Sequence, residues 1–350
     1  MKAAVVTRFR EPLEIHDLTD PRPGPSEAVV RVEACGICRS DWHLWQGDWN
    51  WVGIELSLPH VLGHEFGGVV EATGTDVRHF KPGDRVTVPF HMACGHCEYC
   101  YTGRSNLCLA HGAIGVHFNG GYGRLTSVPS ADVNLVHLPE EIDFITAAAL
   151  GCRFMTAYHG VIDQARVRPG EWVAIFGIGG VGLSAVQIAS AVGARVVAIS
   201  RSEEKLARAR NEGALAAVQA SEEHLVDTVK EITGGGAHVA IDALGSRNTL
   251  LPAVLSLRKG GRHLQLGLTG QMEKGMVALP VDAMVFQEIT FVGSLGCPTS
   301  SYPGLLSLIA SGKLEPKRLV TKRVPIERAS DVLSSMTDFA TLGFNMITHW

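Results

Sequence analysis

The sequence predicts an α/β chain of two domains, one β-rich and barrel-like, the other a doubly wound parallel sheet. Three observations support this. At 350 residues the chain is long enough for two domains that each bury a core. Up to residue ~153 it consists of short strand-like apolar runs broken by Gly and Pro. From there to residue ~295 strand-like and helical runs alternate, as a doubly wound sheet requires.

Composition narrows the function. Apolar residues make up 46%, charged residues 19%, and the formal net charge is -4. This is not a disordered composition, and it gives no electrostatic case for a nucleic-acid or anionic membrane partner. The opening stretch MKAAVVTRFREPLEI is broken by charge every few residues, so neither a signal peptide nor an anchor is expected. No run approaches the ~18 apolar residues of a membrane span. A cytoplasmic protein is expected, and there thiols stay reduced.

In chain order, the first chemistry-bearing stretch is CGICRSDWH, with Cys35, Cys38, Asp41 and His43. LGHEFGG then brings His64 and Glu65, and LGCRFMTAYHG brings Cys152. Singly, each has a bland reading, because a lone Cys is usually a small buried hydrophobe. Between these stretches, CGHCEYCYTGRSNLC crowds four of the chain's eight cysteines into residues 94–108. Cys94, Cys97, Cys100 and Cys108 follow the spacing C-x2-C-x2-C-x7-C, and Gly95 and Gly103 allow the tight turns it needs. Four thiolates would close a tetrahedron around a structural zinc. The other readings are an iron–sulfur cluster or redox-active dithiols, but Leu109 stands where a ferredoxin-type run usually has Pro.

EWVAIFGIGGVGLSAVQIASAVGARVVAIS reads as a buried strand over Trp172 to Phe176, a glycine turn, a helix, and a second strand over Arg195 to Ile199. Gly177, Gly179, Gly180 and Gly182, with Val181 among them, form G-x-G-x-x-G. Inside one βαβ unit this predicts a Rossmann-type dinucleotide site, with the pyrophosphate on the helix N-terminus. Where an NAD site usually carries a carboxylate for the ribose diol, this chain has Ser200. Serine does not repel a 2′-phosphate, Arg201 can pair with one, and Lys205 adds charge. The reading is NADP(H) over NAD(H), set against a plain solvated helix start in which Glu203 and Glu204 favour the N-terminus.

These motifs, in this order and over nearly the whole chain, resemble the zinc-dependent medium-chain alcohol dehydrogenases. GHEFGGVV is similar to that family's zinc signature, CGICRSDWH to its first ligand and proton relay, and the four-cysteine loop to its structural-zinc lobe. The resemblance implies a GroES-like catalytic domain over 1–153, a Rossmann domain over 154–295, and a return to the catalytic domain over 296–350. It implies Cys38, His64 and Cys152 as ligands of a catalytic zinc, making two Zn2+ per chain. Glu65 would stand beside the metal, and Asp41 would hold the far ring nitrogen of His64. Cys35 and Cys297 match no ligand position and read as packing residues.

Two thiolates and a neutral imidazole leave zinc one open position, where an alcohol loses its proton near neutral pH. Ser40 can take the hydrogen bond of that oxygen and His43 can carry the proton outward. The bland readings are a turn hydroxyl and a surface imidazole. The resemblance further implies that Leu244 and Leu266, Gly267 and Leu268 flank the cofactor, and Arg39 and Thr156 join the cofactor-binding set. Ser200 with Arg201 is similar to the NADP-preferring, cinnamyl-alcohol-type members.

Trp42, Trp49, Trp51, Phe90 and Phe118 lie near ligand positions in the sequence and suggest an apolar, aromatic-lined pocket, although ordinary packing is the reading for any one of them. The expected partners are a small alcohol, aldehyde or ketone and further copies of the chain. A homodimer or homotetramer is expected through the strand near Ile289 to Leu295, whose apolar edge would otherwise be exposed. Two other readings are a polyol-type zinc dehydrogenase, which would want charged groups in the pocket, and a non-catalytic structural or cofactor-binding relative, which would need none of these ligands.

Overall fold

The computed structural model describes residues 1–110, 112–221, 223–338 and 341–350. The chain forms two compact units, Met1–Met155 together with Gly296–Trp350, and Thr156–Leu295. In chain order the second is an insertion in the first.

The first unit is built on a largely antiparallel sheet. Its strands run Val136–His137, Arg85–Thr87, Glu65–Thr73, Ala28–Ile37, Phe344–His349 and Val320–Pro325, with Leu125–Val128 paired off this path to Ala28–Ile37. Ala28–Ile37 is buried along most of its length, which is why AVVRVEACGI reads as a nearly continuous apolar run rather than an alternation. Val30, Val32, Ile37, Leu62, Phe66, Tyr122 and Ile347 pack in the core around it. The C-terminal strand pairs antiparallel with its end, Asn345 opposite Ile37, so the last segment completes this unit.

One register positions the site. Gly36 stands opposite Glu65 in the antiparallel pair of Ala28–Ile37 with Glu65–Thr73. The residue that follows the first strand, Cys38, therefore emerges beside the residue that precedes the second, His64. A slip of one residue would turn every side chain to the other face and separate them.

The second unit contains a six-stranded parallel sheet in the order Ala216–Gln219, Arg195–Ser200, Trp172–Phe176, Ala237–Asp242, Leu257–Gln265, Thr290–Gly293. The order reverses at Trp172–Phe176, the topological switch point at whose carboxyl end ligands bind in such sheets. Ala174, Phe176, Val197, Ile199, Val218 and Ala240 form a core on this sheet. Thr290–Gly293, the outermost strand, is mostly exposed. The helix before it, Val281–Gln287, buries no residue, and Phe286 is 82% exposed. Among the described residues no helix is long and apolar enough to cross a membrane.

Candidate active site and metal centres

Three segments converge on the first centre. Cys38 is the N-cap of the helix Arg39–Gln46, and His64 leads into Glu65–Thr73. Cys152 comes from the helical run after Phe144–Ala149, which breaks at Gly151 (φ -24, ψ -138). Donor atoms of Cys38, His64, Glu65 and Cys152 all lie within 4.8 Å of one another. Buried His64 has Nδ1 at 3.0 Å from Asp41 Oδ1, while its Nε2 has no hydrogen-bond partner among the described residues. Leaving a buried polar atom unpaired costs about 1–3 kcal/mol, a cost that disappears if Nε2 ligates a metal. Two thiols and an imidazole are a donor set that suits zinc. The Cys152 thiol and His64 hold Cys38 well below the usual thiol range, while the Cys38 thiolate pushes Cys152 up.

Asp41 ties the segments of Cys38 and His64 together. Its fully buried carboxylate accepts from the amides of Cys38 (2.8 Å) and Gly63 (3.2 Å), from His64 Nδ1 (3.0 Å) and from the Tyr122 hydroxyl (3.2 Å). Glu65, also buried, is clasped by Arg153, whose amide (3.1 Å) and Nε (2.9 Å) donate to Oε1 while Nη2 donates to Oε2. Burial raises the Glu65 carboxyl to about 7, and Arg153 opposes that rise. A Cβ on Gly36 would stand 2.2 Å from Glu65 Oε2, and one on Gly151 would stand 2.4 Å from Glu65 Cβ, so only glycine fits at either place. Arg153 and Tyr122 were not picked out from the sequence. The available signal for Arg153 was a charged residue directly after the candidate ligand Cys152 in an otherwise apolar run.

Ser40 and His43 lie one turn apart on Arg39–Gln46, hence on one face. Cys38 Sγ is 3.8 Å from Ser40 Oγ. His43 Nδ1 is 2.8 Å from Asp48 Oδ1, and its ring stacks on Trp49 at 4.8 Å and meets Trp42 edge-on at 4.9 Å. Burial lowers the His43 pKa against the pull of Asp48, so the ring is neutral near pH 7. Arg39 lies 3.6 Å over Trp42 and donates to the Met336 carbonyl. Among the other aromatics, Phe90 meets the His64 ring edge-on at 6.0 Å, Trp51 is half-buried against the core, and Phe118 is 38% exposed.

The four-cysteine loop forms the second centre, and among the described residues no cysteine is in a disulfide. Sγ separations are 3.5 Å for Cys97–Cys100, 3.9 Å for Cys97–Cys108 and 4.0 Å for Cys94–Cys100. A tetrahedron with Zn–S bonds of about 2.3 Å has edges of about 3.8 Å, so these separations fit a zinc. Backbone amides of Leu109 and Cys100 hold Cys97 at about 6, a thiolate ready for a metal.

In the second unit the glycine turn has the shape of a phosphate cradle. Gly177 has φ +92, and a Cβ on Gly182 would stand 2.0 Å from the Gly177 carbonyl oxygen. Gly179 caps the helix Gly180–Ala191 with no side-chain bond, and a Cβ added there would meet nothing within 4 Å. The helix thus presents open amides, with Val181 in its first turn, as a pyrophosphate requires.

Ser200 ends Arg195–Ser200, and its hydroxyl accepts from the Ser202 amide at 3.3 Å. Exposed Arg201 makes no ion pair among the described residues, while Glu203 pairs with Arg210 at 2.7 Å. Lys205 lies in the first turn of Glu203–Asn211. Asp242 joins two loops. Its Oδ1 accepts from Leu244 (2.9 Å) and Gly245 (3.1 Å), and its carbonyl accepts from Leu266 and Gly267, both at 3.0 Å. Leu244 and the segment Leu266, Gly267 and Leu268 are thereby held close to one another. Thr156 is buried in the helix Met155–Tyr158.

Comparison with known proteins agrees with this geometry. Residues 24–140 match the alcohol dehydrogenase GroES-like domain, and residues 180–311 match the zinc-binding dehydrogenase domain. An alcohol dehydrogenase of Geobacillus stearothermophilus is 35% identical over 96% of this chain and 96% of its own. An NAD-dependent alcohol dehydrogenase of Sulfurisphaera tokodaii is 32% identical over 98% of each. The solved structure of alcohol dehydrogenase TADH from Thermus sp. ATN1 is 34% identical, covers 100% of both chains and superposes with a TM-score of 0.91.

Proposed function

The chain belongs to the zinc-binding, medium-chain alcohol dehydrogenases and is an NAD(P)-dependent alcohol dehydrogenase, and from that premise we propose how its residues divide the work. Cys38, His64 and Cys152 hold a catalytic zinc, and Cys94, Cys97, Cys100 and Cys108 hold a structural one, two ions per chain. The observation that carries this reading is His64, buried and anchored through Nδ1 with its Nε2 left unpaired beside two thiols. When bound, zinc brings the pKa of an alcohol hydroxyl toward neutrality and the nicotinamide takes up the hydride.

The side chains around the metal do the rest. Asp41 keeps His64 in the tautomer whose Nε2 lone pair faces the thiols. The Ser40 hydroxyl takes the hydrogen bond of the reacting oxygen, and neutral His43 takes the proton outward. Glu65, clasped by Arg153, stands beside the ligands. Trp42 and Trp49 at His43, and Phe90 at His64, favour an apolar alcohol, aldehyde or ketone over a polyol.

The glycine turn, Leu244 and Leu266 to Leu268 hold the cofactor, and NADP(H) is preferred to NAD(H). Ser200 brings no charge against a 2′-phosphate, Arg201 is exposed and makes no ion pair among the described residues, and Glu203 is paired with Arg210. A charge-assisted contact of about 1.5–3 kcal/mol corresponds to roughly a ten- to hundredfold preference in kcat/KM. Across a panel of primary, secondary and aromatic alcohols run with both cofactors, Arg201→Ala should lower kcat/KM for NADP(H) selectively. Ser200→Asp should turn the enzyme toward NAD(H). The second reading, NAD(H), has in its favour the NAD-dependent relative from S. tokodaii. It wins if the wild type uses NAD(H) as well or better.

The exposed strand Thr290–Gly293, with Val285, Phe286 and Leu295 exposed nearby, supports at least a homodimer. Light scattering at micromolar concentration should give twice or four times the chain mass, and a monomer contradicts it.

A further inference from the structure

The helix that carries Ser40 and His43 ends in a turn that folds back onto His43. Gly47 adopts the left-handed conformation (φ 66) as its C-cap. The chain reverses there, and Asp48 is bound twice to the same residue. Its amide donates to the His43 carbonyl at 3.2 Å, and its Oδ1 stands 2.8 Å from His43 Nδ1. Trp49, the next residue, covers the imidazole with its rings 11° from parallel. The Asp48 side chain is only 15% exposed, so its charge acts on the ring with little screening by water. His43 also helps wall a cavity of about 240 Å³, together with Leu44, Trp49, Asn50 and Glu55, roomy enough for several waters.

We propose that Asp48 is a positioning residue of the proton path: it fixes His43 as the Nδ1–H tautomer, leaves Nε2 as the base, and balances the charge of the imidazolium when a proton arrives. This rests on the reading of His43 as the relay base. The balance is simple, since the proton from the alcohol enters at Nε2 and leaves from the same nitrogen to water, while Nδ1 keeps its proton toward Asp48 and no other bond changes. The charged or titratable groups acting on the ring are Asp48, Arg39 of the same helix and Cys38, with Glu55 on the cavity wall. Asp48 favours the imidazolium and Arg39 opposes it.

The test measures the pH dependence of single-turnover alcohol oxidation in the zinc-loaded enzyme with its cofactor. The wild-type rate should rise with pH as His43 loses its proton. Asp48→Asn removes the charge that stabilises the imidazolium, so the midpoint should fall by about one pH unit and the plateau rate by about tenfold. Asp48→Glu should restore most of both, and Asp48→Asn should add less than about twofold in a His43→Gln background. If Asp48→Asn keeps the wild-type midpoint while His43→Gln abolishes the titration, Asp48 only packs the turn and the proposal falls. If His43→Gln keeps the titration, the relay reading fails and takes the proposal with it. Should Asp48→Asn not fold, nitrogen NMR of wild-type His43 decides the matter. The Nδ1–H tautomer is expected, and Nε2–H overturns it.

Discussion

Cys38→Ser should abolish turnover while the chain stays folded and its zinc content falls from about two equivalents to one. The fold does not need the sulfur. Ala28–Ile37 is held by pairing with Glu65–Thr73, Leu125–Val128 and Phe344–His349, and the amide at position 38 keeps its bond to Asp41. The chemistry does need it. A hydroxyl is a poor, protonated substitute for a soft thiolate, and the site would be left with His64 and Cys152. Losing several kcal/mol of metal polarisation, at 1.4 kcal/mol per tenfold, lowers kcat by roughly 10³-fold or more. Metal analysis, circular dichroism and single-turnover rates check this together. A variant that keeps a tenth of wild-type kcat, or still holds two zinc equivalents, would remove Cys38 from the catalytic site.

Cys100→Ala should act in the opposite way, on stability far more than on chemistry. Residues 94–108 have almost no core of their own. Cys94, Cys97 and Cys100 are half-buried, Tyr101 is 77% exposed, and the regular structure is two single turns, Glu98–Tyr101 and Ser105–Leu107. Segments this poor in buried apolar surface draw their order from a metal, and structural zinc sites contribute about 10 kcal/mol or more of binding energy to folding. Even if three cysteines keep part of it, a loss of at least about 3 kcal/mol should lower the melting temperature by about 6–12 °C. Zinc should fall to one equivalent, and activity per folded molecule should stay within a few-fold of wild type at low temperature. An unchanged melting temperature would mean that this loop holds no structural zinc.

Asp41 and Arg153 show why equally buried charges differed in how readable they were. Asp41 lies three residues from Cys38 in a motif whose spacing already suggests a ligand and its support. Arg153 gains its meaning only from Glu65, 88 residues away. Asp48 lies between the two cases, close to His43 in sequence but brought onto it by a left-handed cap that a single glycine does not announce.

What the sequence alone determined was local chemistry and local period. It determined a spacing that brings four thiols together, glycines opening a helix after a buried strand, and the strand Trp172–Phe176 from its apolar run. Such features depend on neighbours a few residues apart, so their geometry follows from backbone dimensions. The tertiary structure alone decided which distant segments meet. It brought Cys38 beside His64 through one strand register, added the C-terminal strand Phe344–His349 to the edge of Ala28–Ile37, clasped Glu65 with Arg153, and joined the loops after Asp242 and Gln265 through Asp242. Hydrophobic period says which face of a strand is buried but not which strand lies beside it or in what register; that is settled only when all the strands pack at once.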